Sequence, residues 1–164
     1  MKVIIAAIGP GENATDRDRD NAYNLGRLVA QQGWILLTGG RNVGVMDAAS
    51  RGAKSFGGLT IGILPGKDPQ NISEAVDIPI VTDLGNARNN IIVLSARAIV
   101  ACGIGLGTAS EIALSLKGGK KVILLMASSQ AEKFFTSLAP NNVLIAKDAE
   151  SALNLIKYIV NQSN

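Results

Sequence analysis

The sequence predicts an α/β fold: a doubly wound, mainly parallel sheet of about seven strands with helices on both faces, in one domain over residues 1–164. Three observations predict it. Short apolar runs rich in β-branched residues recur without polar alternation, which suits strands covered on both sides. Segments of helical periodicity lie between them, several closed by glycine. No linker, low-complexity tract or internal repeat interrupts the alternation, and strand–helix–strand order is the signature of parallel crossover units.

The first strand is read in VIIAAI (3–8). The opening MKVIIAAIGPGEN is too short in its apolar part for a signal peptide and lacks a small-residue cleavage site. Ala22, Leu25 and Val29 mark a helix before Gly33. At its start Asp16, Asp18 and Asp20 interleave with Arg17 and Arg19, a solvated helix start with acids at the favourable end. WILL (34–37) is the second strand, with Trp34 as a packing residue. Val45, Ala49, Ala53 and Phe56 mark the next helix before Gly57-Gly58, with Asp47 near its start.

LTIGI (59–63) and IPIV (78–81) are strands three and four. The polar segment PGKDPQNISEAV (65–76) between them is expected to overhang a sheet edge. Ala87, Ile91, Leu94 and Ala98 line one face of a third helical segment, and AIVAC (98–102) is the fifth strand, ending in Cys102 as a small core residue. Ala109, Ile112, Ala113 and Leu116 mark a helix before Gly118-Gly119. VILLM (122–126) and VLIA (143–146) follow as strands. Ala149, Ala152, Leu153 and Ile156 give the last helix.

Composition narrows the chemistry. A chain of 164 residues suffices for a proper core. It has no histidine, which excludes Ser-His-Asp and Cys-His catalysis and removes the commonest metal ligand. One cysteine allows no internal disulfide, fits a reducing cytoplasm, and with carboxylates alone makes a poor zinc site, so no metal is expected. The net charge of +3 is scattered and aromatic residues are only 4%, giving little basis for nucleic-acid binding. No apolar run reaches the roughly 18 residues of a membrane span, so no membrane partner is expected.

Right-handed crossovers bring four loops to the carboxyl end of the sheet, where such folds bind ligands at the reversal of strand order. They are the loop of Gly9 and Gly11, the loop of Gly39, Gly40, Arg41 and Gly44, the segment of Asn86 and Arg88, and GIGLGT with Gly103, Gly105, Gly107 and Thr108. In the last, glycines lead from a strand into a helix whose first N–H groups and dipole, about half a positive charge, suit a phosphate. The spacing is neither that of the P-loop, which needs a lysine, nor GxGxxG. Thr108-Ala109-Ser110-Glu111 also reads as a capping box, with Thr108 as N-cap and Glu111 reaching back. Capping and a functional role for Glu111 stay open together. Arg41 suits an anion or a plain turn. Arg88, a cation in a first helical turn, calls for an anionic partner, either Glu111 or a ligand phosphate.

Taken together, TGGRNVGVMDAASRGAKSFGG, LTIGILPG, GNARNNIIVLSARAIVACG and GIGLGTASEIALSLKGGKKVILL resemble the Lonely Guy-like Rossmann superfamily, over about residues 3–126. That group, often labelled lysine decarboxylase-like, contains cytokinin riboside monophosphate phosphoribohydrolases and molybdenum cofactor carriers. The resemblance implies a Rossmann-like fold and a homodimer or homotetramer. The hydrolases carry PGGxGTxxE and an Arg-Lys pair, whose Arg and Glu act in cleaving the N-glycosidic bond of a nucleoside 5′-monophosphate. Arg88, Gly105, Gly107, Thr108 and Glu111 match. Gly103, Ile104 and Asn89 replace the Pro, a Gly and the Lys, and an isoleucine in the turn is expected to narrow the approach of a phosphate. GNARNN and the cadence after GIGLGT look more like the carriers.

The resemblance therefore implies a binding protein for a phosphate-bearing heterocycle, a pterin or a nucleotide, with molybdenum cofactor as cargo and no cofactor of its own. The alternative is a phosphoribohydrolase with Arg88 and Glu111 as catalytic residues.

Overall fold

Residues 2–162 are described by the structure, a computed structural model, so the outermost ends of the expected 1–164 domain lie outside the described residues. Seven strands form one sheet: β1 (Ile4–Ile8), β2 (Ile35–Thr38), β3 (Thr60–Leu64), β4 (Ile78–Val81), β5 (Ala98–Cys102), β6 (Val122–Leu125) and β7 (Val143–Ala146). Their order is β4-β3-β2-β1-β5-β6-β7, and every pairing is parallel. Six helices accompany them: α1 (Asp16–Gln31), α2 (Gly44–Lys54), α3 (Asn89–Ser95), α4 (Leu106–Lys117), α5 (Ser129–Leu138) and α6 (Ala149–Asn161), with a 3₁₀ turn at Gly85–Arg88.

The continuous apolar strands are explained by burial on both faces. Ile5, Ala7, Val100 and Cys102 point to one side, where they meet Leu25, Val29, Val45, Ala49, Ala152 and Ile156 of α1, α2 and α6. Ala6, Ile8, Ile99 and Ala101 alternate to the other side, onto Ile92, Ile112 and Phe135 of α3, α4 and α5.

Local chemistry fixes where the helices begin. Thr15 Oγ1 accepts from Asp18 N at 3.1 Å, and Thr15 N donates to Asp18 Oδ2 at 3.0 Å, a reciprocal cap worth about 1 kcal/mol. Helices α1 and α2 then touch backbone to backbone, because a Cβ at Gly26 would collide with Ala49 O and one at Gly52 with Tyr23 O. This contact brings the β1–α1 and β2–α2 loops side by side, and Val45 N donates to Pro10 O at 3.0 Å between them.

Several expectations need correction. Helix α5 adds to the elements the sequence predicts: Ala131, Phe134, Phe135 and Leu138 recur at i, i+3, i+4 and i+7, but only Phe135 is buried. The stripe Ala87-Ile91-Leu94-Ala98 is not a buried face. Ala87 sits in the 3₁₀ turn, Ala98 is in β5, Leu94 is exposed, and the short α3 buries Asn89, Ile92 and Val93 instead. Ala113 of α4 is also exposed. Phe56 lies beyond the end of α2, half exposed, with the Arg27 guanidinium 5.6 Å from its ring centroid.

The polar segment 65–76 does not overhang an edge. It folds back on the β2–α2 loop, where Arg41 bridges Ile72, Asn42 N donates to Asn71 O at 2.7 Å, and Ser73 Oγ donates to Asp47 Oδ1 at 2.6 Å.

Candidate functional site

A cavity of about 310 Å³ opens at the carboxyl ends of β1 and β2 and the N-terminus of α4. The strand order reverses there, since β1 lies between β2 and β5. Its walls are Gly9, Pro10, Gly11 and Glu12 from the β1–α1 loop; Gly39, Arg41 and Met46; Asn86, Arg88 and Asn89; and Gly105, Gly107, Thr108 and Glu111. Ten of the residues singled out in the sequence thus share one cavity: Gly9, Gly11, Gly39, Arg41, Asn86, Arg88, Gly105, Gly107, Thr108 and Glu111.

Gly40, Gly44 and Gly103 stand behind the wall rather than in it. Gly40 packs on Gly62, and Gly44 packs on the carbonyls of Pro10 and Gly11. Gly103 has φ +81°, and a Cβ there would lie 2.5 Å from the Asp18 carboxylate. Ile104 also stays out of the cavity, half-buried against the core layer that holds α3, α4 and α5. It therefore does not narrow the turn, contrary to expectation.

Helix α4 starts earlier than its capping pattern suggests. Its N-cap is Gly105, which makes no side-chain cap, and Ala109 N donates to Gly105 O at 2.8 Å as the first backbone bond of the helix. Thr108 is consequently inside the first turn and Glu111 in the second, and the expected capping box does not form. The early N–H groups are left to face the ligand end. Thr108 is 2% exposed, and its Oγ1 is buried without a hydrogen-bond partner.

Arg88 reaches the site from the 3₁₀ turn. Its Nη1 donates to Ile63 O at 2.5 Å, while its Nε is buried without a partner. Gly39 makes room for it, since a Cβ there would collide with the guanidinium and the Met46 sulfur. Burial and, more weakly, Arg41 lower the Arg88 pKa, and Glu111 opposes them. Glu111 is 8% exposed, and burial pushes its pKa up to about 7 against the pull of Arg88. Among the described residues no salt bridge joins the two. The anionic partner expected for Arg88 is thus not Glu111 in direct contact.

Asn89 is buried, and its Nδ2 donates to Ser110 Oγ at 3.0 Å; that hydroxyl donates to Gly107 O at 2.7 Å. The chain of bonds ties α3 to the glycine turn. Arg41 Nη2 donates to Glu12 Oε1 at 2.7 Å. Glu12 and Met46 were not singled out as site residues. Glu12 is a carboxylate among cationic and glycine residues, and its place directly after Gly-Pro-Gly is the sequence signal that puts it in the β1–α1 loop.

The sequence profile of the SLOG cluster4 family matches residues 2–153. The chain belongs to the SLOG cluster4 family. The match runs from before β1 into α6, so the whole cavity falls within the SLOG cluster4 region. Among solved structures, this family member is similar to the molybdenum cofactor binding protein of Rippkaea orientalis, at 58% identity, 98% coverage of each chain and a TM-score of 0.95. It is also similar to the molybdenum cofactor carrier protein of Chlamydomonas reinhardtii, at 50% identity, 99% coverage of each chain and a TM-score of 0.93. A more distant relative is the cytokinin riboside 5′-monophosphate phosphoribohydrolase of Mycobacterium marinum, 30% identical over 54% of this chain and 48% of that one. The SLOG cluster4 chain thus stands close to cofactor-binding proteins and farther from hydrolases.

Proposed function

We propose that this chain is a binding protein for a phosphate-bearing heterocycle, a pterin or a nucleotide, with molybdenum cofactor as its cargo and no resident cofactor required. The observation that carries it is the Thr108 hydroxyl, buried and unpartnered in the first turn of α4 on the cavity wall. A phosphate oxygen there would accept from that hydroxyl and from the free N–H groups of the helix, with Arg88 and Arg41 supplying positive charge. The likeness to two molybdenum cofactor proteins over nearly the whole chain supports the cargo. Asn89 supports holding over turnover: where the hydrolases have a lysine, it is committed to Ser110 and stiffens the turn.

The protein works as a homodimer or homotetramer, in the cytoplasm, as one domain spanning 1–164, without nucleic-acid or membrane partners. Leu94 of α3 and Leu106 and Leu114 of α4 support the oligomer by placing apolar side chains outward, Leu106 at 94% exposure. Ile78 and Ile80 of the edge strand β4 are exposed as well. No helix among the described residues is long and apolar enough to cross a membrane.

Glu111 favours a second reading. A carboxyl group with a pKa of about 7 inside a cavity suits acid–base work on an N-glycosidic bond, with Arg88 orienting it. One experiment separates the readings. The protein is incubated anaerobically with molybdenum cofactor released from a molybdoenzyme, gel-filtered, and assayed for bound pterin. In parallel it is incubated with purine nucleoside 5′-monophosphates and assayed for free base. Retained pterin with no base release is the expected result. Base and ribose 5-phosphate released by wild type but not by Glu111→Ala would replace binding by hydrolysis.

A further inference from the structure

The mouth of the cavity carries an ion pair that a phosphate site alone does not need. Arg41 extends from a backbone held by the antiparallel bridge to Ile72, whose two bonds are Ser73 N to Gly40 O at 2.9 Å and Asn42 N to Asn71 O at 2.7 Å. Its Nη2 donates to Glu12 Oε1 at 2.7 Å, and both residues line the cavity. Besides Arg41, the Glu12 carboxylate is held by its own backbone N–H, and its side chain is largely exposed, so no other residue's side chain fixes it among the described residues. The cavity contains two guanidiniums, and Arg41 acts against the charge on Arg88. Glu12 neutralises one of them from within the chain.

We propose that Glu12 occupies the place of a second anionic group of the ligand. The site then takes a phosphate ester bearing a second anion: the phosphate sits on the α4 terminus and Thr108, and the second anion replaces Glu12 on Arg41. This rests on the phosphate site proposed above. A ligand with one anionic group leaves the Glu12–Arg41 pair intact and gains nothing from Arg41. A ligand with two exchanges one charge-assisted contact for another, and the released Glu12 is solvated at little cost because it already faces water. Arg41 is thus the specificity-determining residue that favours doubly anionic cargo, and Glu12 is the in-chain anion that the cargo must displace from it.

Calorimetric titration of wild type, Glu12→Gln and Arg41→Gln with AMP and with adenosine 3′,5′-bisphosphate tests this. Wild type should prefer the bisphosphate. Glu12→Gln should bind the bisphosphate about three- to fivefold more tightly, the loss of one exposed competing pair, and change AMP by less than about twofold. Arg41→Gln should erase the preference. Equal tightening of both ligands by Glu12→Gln, or weaker binding of the bisphosphate, would overturn the assignment. If AMP binds wild type and is weakened about tenfold in Thr108→Val while Glu12→Gln has no effect on either compound, the phosphate site stands and the second-anion site falls. Binding of neither compound to wild type would overturn both.

Discussion

Thr108 Oγ1 and Arg88 Nε are the two buried side-chain polar atoms among the described residues that lack a hydrogen-bond partner, and both residues line the same cavity. Leaving a buried donor or acceptor unpaired costs about 1–3 kcal/mol. Two such costs at one spot, with no other among the described residues, are what the proposed ligand would relieve.

The first prediction follows from that cost. Thr108→Val keeps the shape and removes the orphan hydroxyl, so the melting temperature of the free protein should stay level or rise. Affinity for a phosphate ester should fall about tenfold, the loss of one good hydrogen bond. Calorimetry and thermal unfolding on the same samples check it, and a fall in both quantities would make Thr108 a structural residue.

Glu111 predicts a pH dependence. Its pKa in the fold, about 7, lies above the ordinary value of 4.5. The folded state therefore holds the proton more tightly than the unfolded chain. The contribution is complete below about pH 4.5 and is lost as the pH rises through 7, amounting to roughly 3 kcal/mol. Glu111→Gln mimics the protonated form, so it should be more stable than wild type at pH 8 and indistinguishable near pH 4. Denaturant titrations at the two pH values decide this. Equal stabilities at pH 8 would mean that Glu111 is ionised without penalty.

Most of the fold was readable because the strands are buried on both faces, so their apolar runs are continuous and β-branched. The site was readable where glycines let loops approach, as at Gly39 and Gly105. The rest turns on burial and exact helix starts, which periodicity does not report. Ala131, Phe134, Phe135 and Leu138 of α5 recur at helical spacing, yet only Phe135 is buried, so the helix lies at the surface with Phe134 and Leu138 outward. The capping box Thr108-x-x-Glu111 misled because the helix begins at Leu106, a shift of a few residues that converts a cap into a cavity wall. Leu94 falls on the helical-period stripe yet is exposed, because periodicity groups apolar residues without saying which of them the fold buries.

Asn89 should behave as a positioning residue. Its bond to Ser110, and Ser110's bond to Gly107 O, hold the turn that presents the N–H groups of α4. Asn89→Ala and Ser110→Ala should each cost about 1 kcal/mol of stability and weaken phosphate-ester binding several-fold. Because they break one chain of bonds, the double variant should lose little more than either single one. Additive losses would show that Asn89 contacts the ligand independently.

The proposed oligomer can be tested at the exposed leucines of α3 and α4. These two helices pack together and bury their own Ile92 and Ile112 in the core, while Leu94, Leu106 and Leu114 stay exposed. Such side chains on adjacent helices form the kind of outward apolar surface that a second copy covers. A charge buried in a symmetric interface meets its own copy, so a single substitution is felt twice. Leu94→Glu combined with Leu114→Glu should therefore shift the sedimenting species to a monomer. Helix content should be preserved, because neither side chain contributes to the core. Wild type sedimenting as a monomer would end the oligomer proposal. A variant that still sediments as an oligomer would move the interface elsewhere, to the exposed Ile78 and Ile80 of β4, where Ile80→Lys is the next substitution to measure.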